Sequence, residues 1–188
     1  MKSRLLITTS REPSRRTRSF VKDLSTVLPN SIRVTRGKAT HAELASKASS
    51  LGAHGVLIIL EKKGNPSAIM FAEPAGSELK KVFLLKLGGV SLLREIPGSQ
   101  FPLGIERLVI VPRSVPRGFA EILAPYIVEC FRPIIVERAV GRALEIKLFG
   151  GEKEAIVAFM CASSDRECGP RFKVVKIVDY IKQVKLPE

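Results

Sequence analysis

The chain opens with a short apolar run that gives way to apolar positions at helical spacing. Residues 5–7 are apolar and are followed by two threonines, a pattern typical of a strand that ends at a sheet edge. Pro13 suits the first positions of a helix, and Ser10 or Ser14 can cap it. Apolar residues then recur at helical intervals over residues 20–28. The opening therefore predicts a strand, a polar turn and a helix.

Further along the chain, the same patterns predict two more helices and a series of strands. Thr40, with Glu43 three residues later, has capping-box spacing, and the helix that it begins ends at Gly52. Another helix has Phe119, Ile122, Leu123, Tyr126 and Ile127 on one face. The predicted strands are 32–34, 55–60, 68–72, 82–87, 134–137, 143–149, 155–161 and 172–178. We expect residues 180–185 to form a short closing helix or a tail.

The opening pattern recurs in the second part of the chain. Leu5 matches Leu108, Pro13 matches Pro116, and a helix that stops near a proline follows in both places. Residues 95–104 are rich in proline and glycine and separate the two copies. The repetition predicts an α/β (α+β) fold of two pseudo-symmetric halves from an internal duplication, each a mixed sheet with helices.

Positive charge is concentrated where the first helix begins. Arg11, Arg15, Arg16 and Arg18 crowd the positive end of the helix dipole, where acidic residues are normally preferred. A helix N-terminus attracts anions through its free N–H groups, so four guanidinium groups there predict a phosphate site. A solvated basic face without a partner is the alternative. The second copy keeps only Arg113 and Arg117, so we expect the first half to make the main anion contact.

The formal net charge of +13 makes an anionic partner the default expectation. Nucleic acid is favoured over membrane because no apolar run is long enough to span a bilayer. No metal site and no catalytic set is recognisable around the two histidines, so we predict neither an enzyme nor a cofactor. The three cysteines form no CxxC pair and are expected to be reduced thiols, since a Cys161–Cys168 bridge would require their strands to meet.

Two motifs resemble a known family. Residues 7–14 read ITTSREPS before an arginine-rich helix, and residues 169–172 read GPRF. Both are similar to elements of the Brix domain of ribosome-biogenesis proteins, and the chain looks most like the short archaeal relatives of the small-subunit processome member. The resemblance implies one Brix domain over residues 1–188, with halves of about 1–94 and 105–188. It also implies a fold similar to the anticodon-binding domain of class IIa aminoacyl-tRNA synthetases.

The resemblance further implies binding to precursor ribosomal RNA during rRNA processing and subunit assembly. Partners would be this RNA and ribosome assembly proteins, with no membrane and no small-molecule substrate, in the cytoplasm of a prokaryote or the nucleolus of a eukaryote. Few aromatic side chains are available for base stacking, so phosphates and shape should dominate recognition. The alternative is a protein–protein scaffold in preribosomal particles with only non-specific RNA affinity. The candidate RNA-binding residues are Ser10, Arg11, Arg15, Arg16, Arg18, Arg113, Arg117, Arg171 and Lys173.

Arg171 and Lys173 lie on a predicted strand whose basic side chains alternate imperfectly with apolar ones. An edge strand that uses exposed lysines against aggregation is an equally good interpretation of this pattern.

Overall fold

The computed structural model describes residues 4–186 and contains three α-helices, twelve strands and two short 3-10 turns in that range. The helices are α1 (Arg15–Val27), α2 (His41–Ser50) and α3 (Phe119–Phe131). The first strands are β1 (Arg4–Thr9), β2 (Ser31–Arg33), β3 (Ala53–Lys62), β4 (Asn65–Ala75) and β5 (Glu78–Ser91). The others are β6 (Arg107–Ile110), β7 (Ile134–Ile135), β8 (Ala143–Gly150), β9 (Ala155–Cys161), β10 (Arg166–Glu167), β11 (Arg171–Asp179) and β12 (Val184–Leu186).

All strands belong to one mixed sheet, which confirms the predicted α/β class. Its order is β2-β1-β3-β4-β5-β11-β9-β8-β6-β7, with β10 beside β9 and β12 beside β11. Read from each edge of the sheet inward, the orders β2-β1-β3-β4-β5 and β7-β6-β8-β9-β11 match. The two halves meet where β5 and β11 pair antiparallel. In each half a central strand, β1 or β6, runs parallel to both neighbours. Within residues 4–186, helix α2 has no counterpart between β7 and β8.

The main core lies between one sheet face and helices α1 and α3. Phe20 of α1 packs edge-on against Phe172 of β11, with ring centroids 6.0 Å apart. Phe83 of β5 packs against Tyr126 of α3 at 5.1 Å. Each of these helices therefore packs on a strand from the other half, so one apolar cluster holds both halves together. Helix α2 covers the opposite face of the sheet, where Leu44 and Ala48 pack on Leu6.

Both helices of the first half begin as their sequences predict, with one shift. Thr40 and Glu43 form a complete capping box at α2. Ser14 is the N-cap of α1 and its hydroxyl accepts a hydrogen bond from the Thr17 N–H at 3.1 Å. Pro13 therefore lies just before the cap, outside the first helical positions where it was expected. The predicted buried stripe of α1 is confirmed, with Phe20, Val21, Leu24 and Val27 all buried.

Three local predictions are wrong, and in the first two of them strand pairing overrides the local pattern. Strand β5 continues past residue 87 to Ser91, since Gly89 and the following residues pair with β11. A Cβ on Gly88 would lie 2.5 Å from Val175 Cγ1, so glycine is needed for the close approach of these strands. The end of the chain forms strand β12 on β11. Ile122 is 41% exposed, so it does not share the buried face of α3.

The expectation of three free thiols is also wrong. Cys161 and Cys168 form a disulfide, with their Cα atoms 5.8 Å apart, whereas Cys130 is a buried free thiol. The chain turns back after β9, and Arg166 of β10 pairs with Cys161. The Cys168 N–H then donates to the Phe159 carbonyl at 2.8 Å. This hairpin supplies the approach of the two cysteines that the sequence alone did not reveal.

Candidate functional site

A basic cleft of about 530 Å³ lies at the carboxyl ends of strands β1 and β2. Thr9 ends β1, and the loop that follows contributes Arg11, Glu12 and Pro13. The cations that line the cleft come from three separate segments: the β1–α1 loop, helix α1, and the end of β2 with its following loop. They are Arg11, Arg18, Arg33, Arg36 and Lys38. We call this the first cleft.

The position of the first cleft follows from the strand order. The chain leaves β1 toward helix α1 on one sheet face and leaves β2 toward helix α2 on the other. Adjacent parallel strands whose connections diverge in this way open a crevice outside their carboxyl ends. Such switch points are where open α/β sheets bind ligands.

Arg36 differs from the other cations of the first cleft because its side chain is buried, with only 7% exposure. Its Nε donates to the Ala39 carbonyl at 2.8 Å, which fixes the plane of the guanidinium group. No other hydrogen bond and no ion pair joins the Arg36 side chain to residues 4–186. Burial, and after it the charge of Arg11, lowers the pKa of Arg36.

Cations outnumber carboxylates in and around the first cleft. Glu12 is the one carboxylate in its lining, and it forms no ion pair within the described part of the chain. The pKa of His41, at the start of α2, is lowered first by burial and then by the charges of Arg36, Lys81 and Arg11. The neutral form of His41 is thus favoured, as expected close to several cations.

The N-terminus of helix α1 already has an anion of its own. Glu61, at the end of β3, accepts a hydrogen bond from the Ser14 N–H at 2.8 Å and from the Thr17 hydroxyl at 2.6 Å. These bonds lower the pKa of Glu61, with the Thr17 hydroxyl contributing most. A carboxylate therefore lies beside this helix start, where the sequence predicts a phosphate site, and that site stays a prediction. The first cleft lies beside it.

The two neighbouring arginines of the first helical turn have different surroundings. Arg15 is exposed and has no hydrogen bond or ion pair to residues 4–186. Arg16 forms a two-pronged ion pair with Glu95 and donates to the Val90 carbonyl at 2.8 Å. These bonds raise the pKa of Arg16 and lower that of Glu95. Arg16 thus links α1 to the segment after β5.

The other candidate residues are spread over the molecule. Ser10 is half-buried and its N–H donates to the Ile59 carbonyl at 2.9 Å. Arg113 and Arg117 are exposed around the β6–α3 loop of the second half. Arg171 is paired with Glu167, and Lys173 with Glu154 at 2.9 Å. Because β11 lies between β5 and β9, the alternative interpretation of these cations as edge-strand protection is wrong.

Of the predicted binding residues, Arg11 and Arg18 line the first cleft. The fold brings Arg33, Arg36 and Lys38 beside them, and none of these three is among the binding residues predicted from the sequence. A usable signal was present, since the Arg36-Gly37-Lys38 turn follows the second predicted strand. This turn indicates a binding site only once β1 and β2 are known to be parallel neighbours, because that pairing brings the turn beside Arg11 and Arg18.

The corresponding place in the second half holds a different kind of cleft, of about 320 Å³, which we call the second cleft. It lies at the carboxyl ends of β6 and β7, and Glu121 is the one charged residue in its lining. The other lining residues are Ile110, Pro112, Val115, Ala124, Pro125, Val128 and Ile135. Ile134 and Ile135 of β7 are 54% and 62% exposed, so apolar surface continues along this edge.

Within residues 4–186, no three His, Cys, Asp or Glu side chains come together in a way that could hold a metal ion. None of the helices in this range is long and apolar enough to cross a membrane.

Comparison with known proteins gives relatives of one kind, although no family model matches the chain. A probable Brix domain-containing ribosomal biogenesis protein of Saccharolobus solfataricus is 43% identical over 91 residues, 48% of this chain and 52% of that protein. Its counterpart from Thermococcus kodakarensis is 38% identical over 126 residues, 64% of this chain and 61% of that protein. The matched segments thus span between about half and three fifths of these relatives' own length.

Two solved structures share the fold over nearly the whole chain. A probable ribosomal biogenesis protein from Aeropyrum pernix K1 has a TM-score of 0.78 and 32% identity, covering 92% of this chain and 96% of that one. An archaeal Imp4-like protein has a TM-score of 0.68 and 21% identity, covering 93% of this chain and 99% of that one, and shows the fold alone. By its sequence and its fold, this chain therefore belongs to the family of Brix domain-containing ribosomal biogenesis proteins, whose members found here are archaeal.

Proposed function

We propose that this protein is a ribosome biogenesis factor that binds precursor ribosomal RNA through a basic surface during rRNA processing and subunit assembly. The observation that carries the proposal is the first cleft, where five cations converge and none forms an ion pair within residues 4–186. A net charge of +13 extends the attraction over the whole molecule. The family to which the chain belongs makes RNA, rather than DNA, the nucleic acid of choice.

The names of the relatives support the assignment to ribosome biogenesis. We propose that other ribosome assembly proteins are partners, that the work is done in the cytoplasm, and that the protein holds RNA without catalysing a reaction on it. Recognition rests on phosphates and shape, because the chain has no tryptophan and only two tyrosines. One of these, Tyr126, is buried and donates to Asp179 at 2.9 Å, so it offers no face for a base.

The test is a pair of matched charge reversals. Arg11→Glu with Arg18→Glu alters two cations of the first cleft that carry no ion pair. Arg138→Glu with Lys185→Glu makes the same change in net charge at two exposed residues that line neither cleft. RNA affinity, measured by fluorescence anisotropy on a precursor rRNA fragment, should fall at least about tenfold more in the first variant. Urea unfolding of both variants checks that the fold is intact.

Salt dependence and crosslinking complete the test. If about five to eight phosphates are contacted, the log–log slope of affinity against salt should be roughly −3 to −6. Crosslinking in cells followed by RNA sequencing should concentrate reads in precursor rRNA. Equal loss of affinity in the two variants would show that RNA binding depends on the net charge of the protein and not on the first cleft in particular. A complex insensitive to salt would contradict phosphate recognition altogether.

A second candidate function is that of a protein–protein scaffold in preribosomal particles, with only non-specific RNA affinity. The second cleft favours it, because apolar side chains that include the exposed Ile134 and Ile135 are suited to a protein partner. The two functions can coexist on opposite halves. Co-purification from cells separates them: the Arg11/Arg18 variant would still enter preribosomal particles if protein contacts dominate.

We also propose that the halves arose by internal duplication. The matching strand orders, β2-β1-β3-β4-β5 and β7-β6-β8-β9-β11, support this origin, and so does the recurring strand–loop–helix pattern. A single domain over residues 1–188 and a likeness to the anticodon-binding domain of class IIa aminoacyl-tRNA synthetases remain predictions. Expressing residues 1–97 alone tests the shared core, since a cooperative melt would show that the first half folds independently.

A further inference from the structure

The first cleft differs from a solvated basic patch because one of its cations is buried. A guanidinium group that loses water without gaining a carboxylate carries a large desolvation cost. Arg36 is close to this situation: it is only 7% exposed and makes a single side-chain hydrogen bond, from Nε to the Ala39 carbonyl. That bond leaves both terminal amino groups of the guanidinium unbonded within residues 4–186, and neither is fully buried, so a ligand in the cleft can reach them. An anion in the cleft would give this cation the partner that it lacks in residues 4–186.

Arg11, Arg18, Arg33 and Lys38 line the same cleft, so a negative charge that reaches Arg36 meets cations on several sides. Phosphate suits such a site because its oxygens accept the two parallel hydrogen bonds that a guanidinium group offers. The cleft volume of about 530 Å³ exceeds that of a phosphate group and lies in the range of small-ligand sites. There is thus room for the sugar or base that accompanies the phosphate.

The low exposure of Arg36 restricts which phosphates can reach it. Phosphates of a regular RNA duplex form continuous rows on the outside of the helix, where exposed side chains such as Arg15 can meet them. A buried guanidinium group is reached only by a phosphate that leaves such a row and enters the cleft. Unpaired strands, bulges and chain ends can present one.

We propose that the first cleft is a binding site for a single protruding phosphate of unpaired RNA, with the mostly buried Arg36 as its anchor. The phosphate is either a backbone phosphate of a flexible strand or the terminal phosphate of an RNA end. The nature of the RNA rests on the proposed function, whereas the phosphate site itself does not. This distinction makes it possible to test the two separately.

The first experiment uses inorganic phosphate and no RNA. Urea unfolding is followed for the wild type, Arg36→Met and Arg138→Met, with and without phosphate, at an ionic strength held constant with sodium chloride. Arg138 is an exposed arginine of the loop after β7, the place in the second half that corresponds to the loop of Arg36. Phosphate should raise the unfolding midpoint of the wild type and of Arg138→Met, because binding to the folded state stabilises it.

Arg36→Met should not respond to phosphate, and in chloride alone it should be at least as stable as the wild type, because a mostly buried charge without an acidic partner has been removed. A purely structural Arg36 predicts the opposite: the variant is weakened in every buffer, and its response to phosphate is unchanged. That result, or an equal phosphate response in all three proteins, would overturn the proposal.

The second experiment identifies the source of the phosphate. Three RNAs of about 12 nucleotides are compared: a single strand with a 5′-hydroxyl, the same strand with a 5′-monophosphate, and a duplex. Arg36→Met should weaken single-strand binding at least about tenfold and Arg138→Met less than about threefold. A tenfold preference for the 5′-monophosphate that disappears in Arg36→Met would indicate a terminal phosphate. Equal binding of both strands, lost equally, would indicate a backbone phosphate.

Duplex binding as tight as single-strand binding, unchanged in Arg36→Met, would overturn the proposed preference for a protruding phosphate. If the wild type binds no RNA while its phosphate response depends on Arg36, the proposed function fails and the phosphate site stands. If RNA binding is intact in Arg36→Met and phosphate has no effect on the wild type, the phosphate site fails and the proposed function stands.

Discussion

The first and second clefts occupy matching places in the two halves but have opposite chemistry. Each lies at the carboxyl ends of a central strand and its parallel outer neighbour, beside a 13-residue helix. The first cleft is lined by five cations, and the second by aliphatic side chains and one glutamate.

The strand register identifies individual replacements. Arg33 pairs with Ile7 in the first half, and Ile135 pairs with Ile110 in the second. On the helices, buried Phe20 and Leu24 of α1 correspond to buried Leu123 and Ile127 of α3. By the same alignment, Glu121 is the counterpart of Arg18. The counterpart of Arg33 in the second half is thus an isoleucine, and the counterpart of Arg18 is a carboxylate. One backbone frame supports two kinds of surface, so the class of ligand depends on the side chains at the strand ends.

The largest effect is expected from changing first-cleft residues into their second-cleft counterparts. Arg18→Glu with Arg33→Ile removes three units of positive charge from the cleft while its backbone is preserved. Affinity for single-stranded RNA should fall about 100-fold, or about 2.8 kcal/mol. The salt slope should become shallower by about 2, since fewer phosphates are neutralised. Fluorescence anisotropy over a salt series measures both quantities.

The reciprocal change, Glu121→Arg with Ile135→Arg, is the control for this swap. It adds the same charge to the second cleft, where no buried arginine is present. We expect an affinity gain of less than about threefold. If both swaps change affinity by equal and opposite amounts, net charge alone governs binding and the distinction between the clefts has no functional meaning.

The next effect concerns stability and separates the two adjacent arginines of helix α1. Arg16→Glu breaks the ion pair with Glu95 and places two carboxylates together, so the free energy of unfolding should fall by about 1.5 kcal/mol. Arg15→Glu should leave stability unchanged or raise it by up to about 0.5 kcal/mol, because an acidic residue suits a helix N-terminus. Urea denaturation measures both. Equal stability of the two variants would show that the Arg16–Glu95 pair contributes nothing.

A smaller effect should follow from changing Glu61, the carboxylate at the start of α1, which has no equivalent among the described residues of the second half. Glu61→Gln should destabilise the protein by about 1 kcal/mol at pH 7. The pKa of Glu61 is lowered in the folded state, so its contribution is present above the ordinary value of 4.5 and is lost as pH falls through the folded pKa. Unfolding curves of wild type and variant should therefore converge in acid.

Glu152→Gln, in the exposed β8–β9 turn, is the matched control for Glu61→Gln. At the start of α3 the Phe119 N–H donates to the Gly151 carbonyl at 3.1 Å, so no carboxylate is involved there. The control should have little effect at any pH. A stability difference between wild type and Glu61→Gln that persists unchanged in acid would contradict the assigned role of the Glu61 charge.

The smallest effect is expected near the carboxyl end of β1. Thr8 Oγ1 is the one buried side-chain polar atom without a hydrogen-bond partner in residues 4–186, and the matching residue of the second half is Val111. Thr8→Val removes this unsatisfied hydroxyl and keeps the branched shape, so stability should rise by about 0.5–1 kcal/mol. Thermal melting checks it, with Thr9→Val at the cleft edge for comparison. A destabilised Thr8→Val protein would contradict the prediction.

Much of the secondary structure could be predicted because it depends on local patterns. The α1 stripe, the Thr40–Glu43 capping box and the continuous apolar strand at β3 are properties of a few consecutive residues. The end of β5 could not be predicted from the sequence. Gly88 and Gly89 are typical of a turn, and the strand continues through them only because it pairs with β11. The Cys161–Cys168 bridge likewise depends on a hairpin between two short strands.

The sequence by itself determined the net charge, the α/β class and the concentration of arginines before and within the first helix. Only the tertiary structure decided which cations act together. Arg33 and Arg36 are far from Arg11 along the chain and reach the same cleft because β1 and β2 are parallel neighbours. Folding also pairs Arg16 with Glu95 and places the Glu61 carboxylate at the start of α1, where it accepts a hydrogen bond from the Ser14 N–H. Charge is a property of composition, whereas the pairing and burial of each charge depend on strand order, which no local pattern encodes.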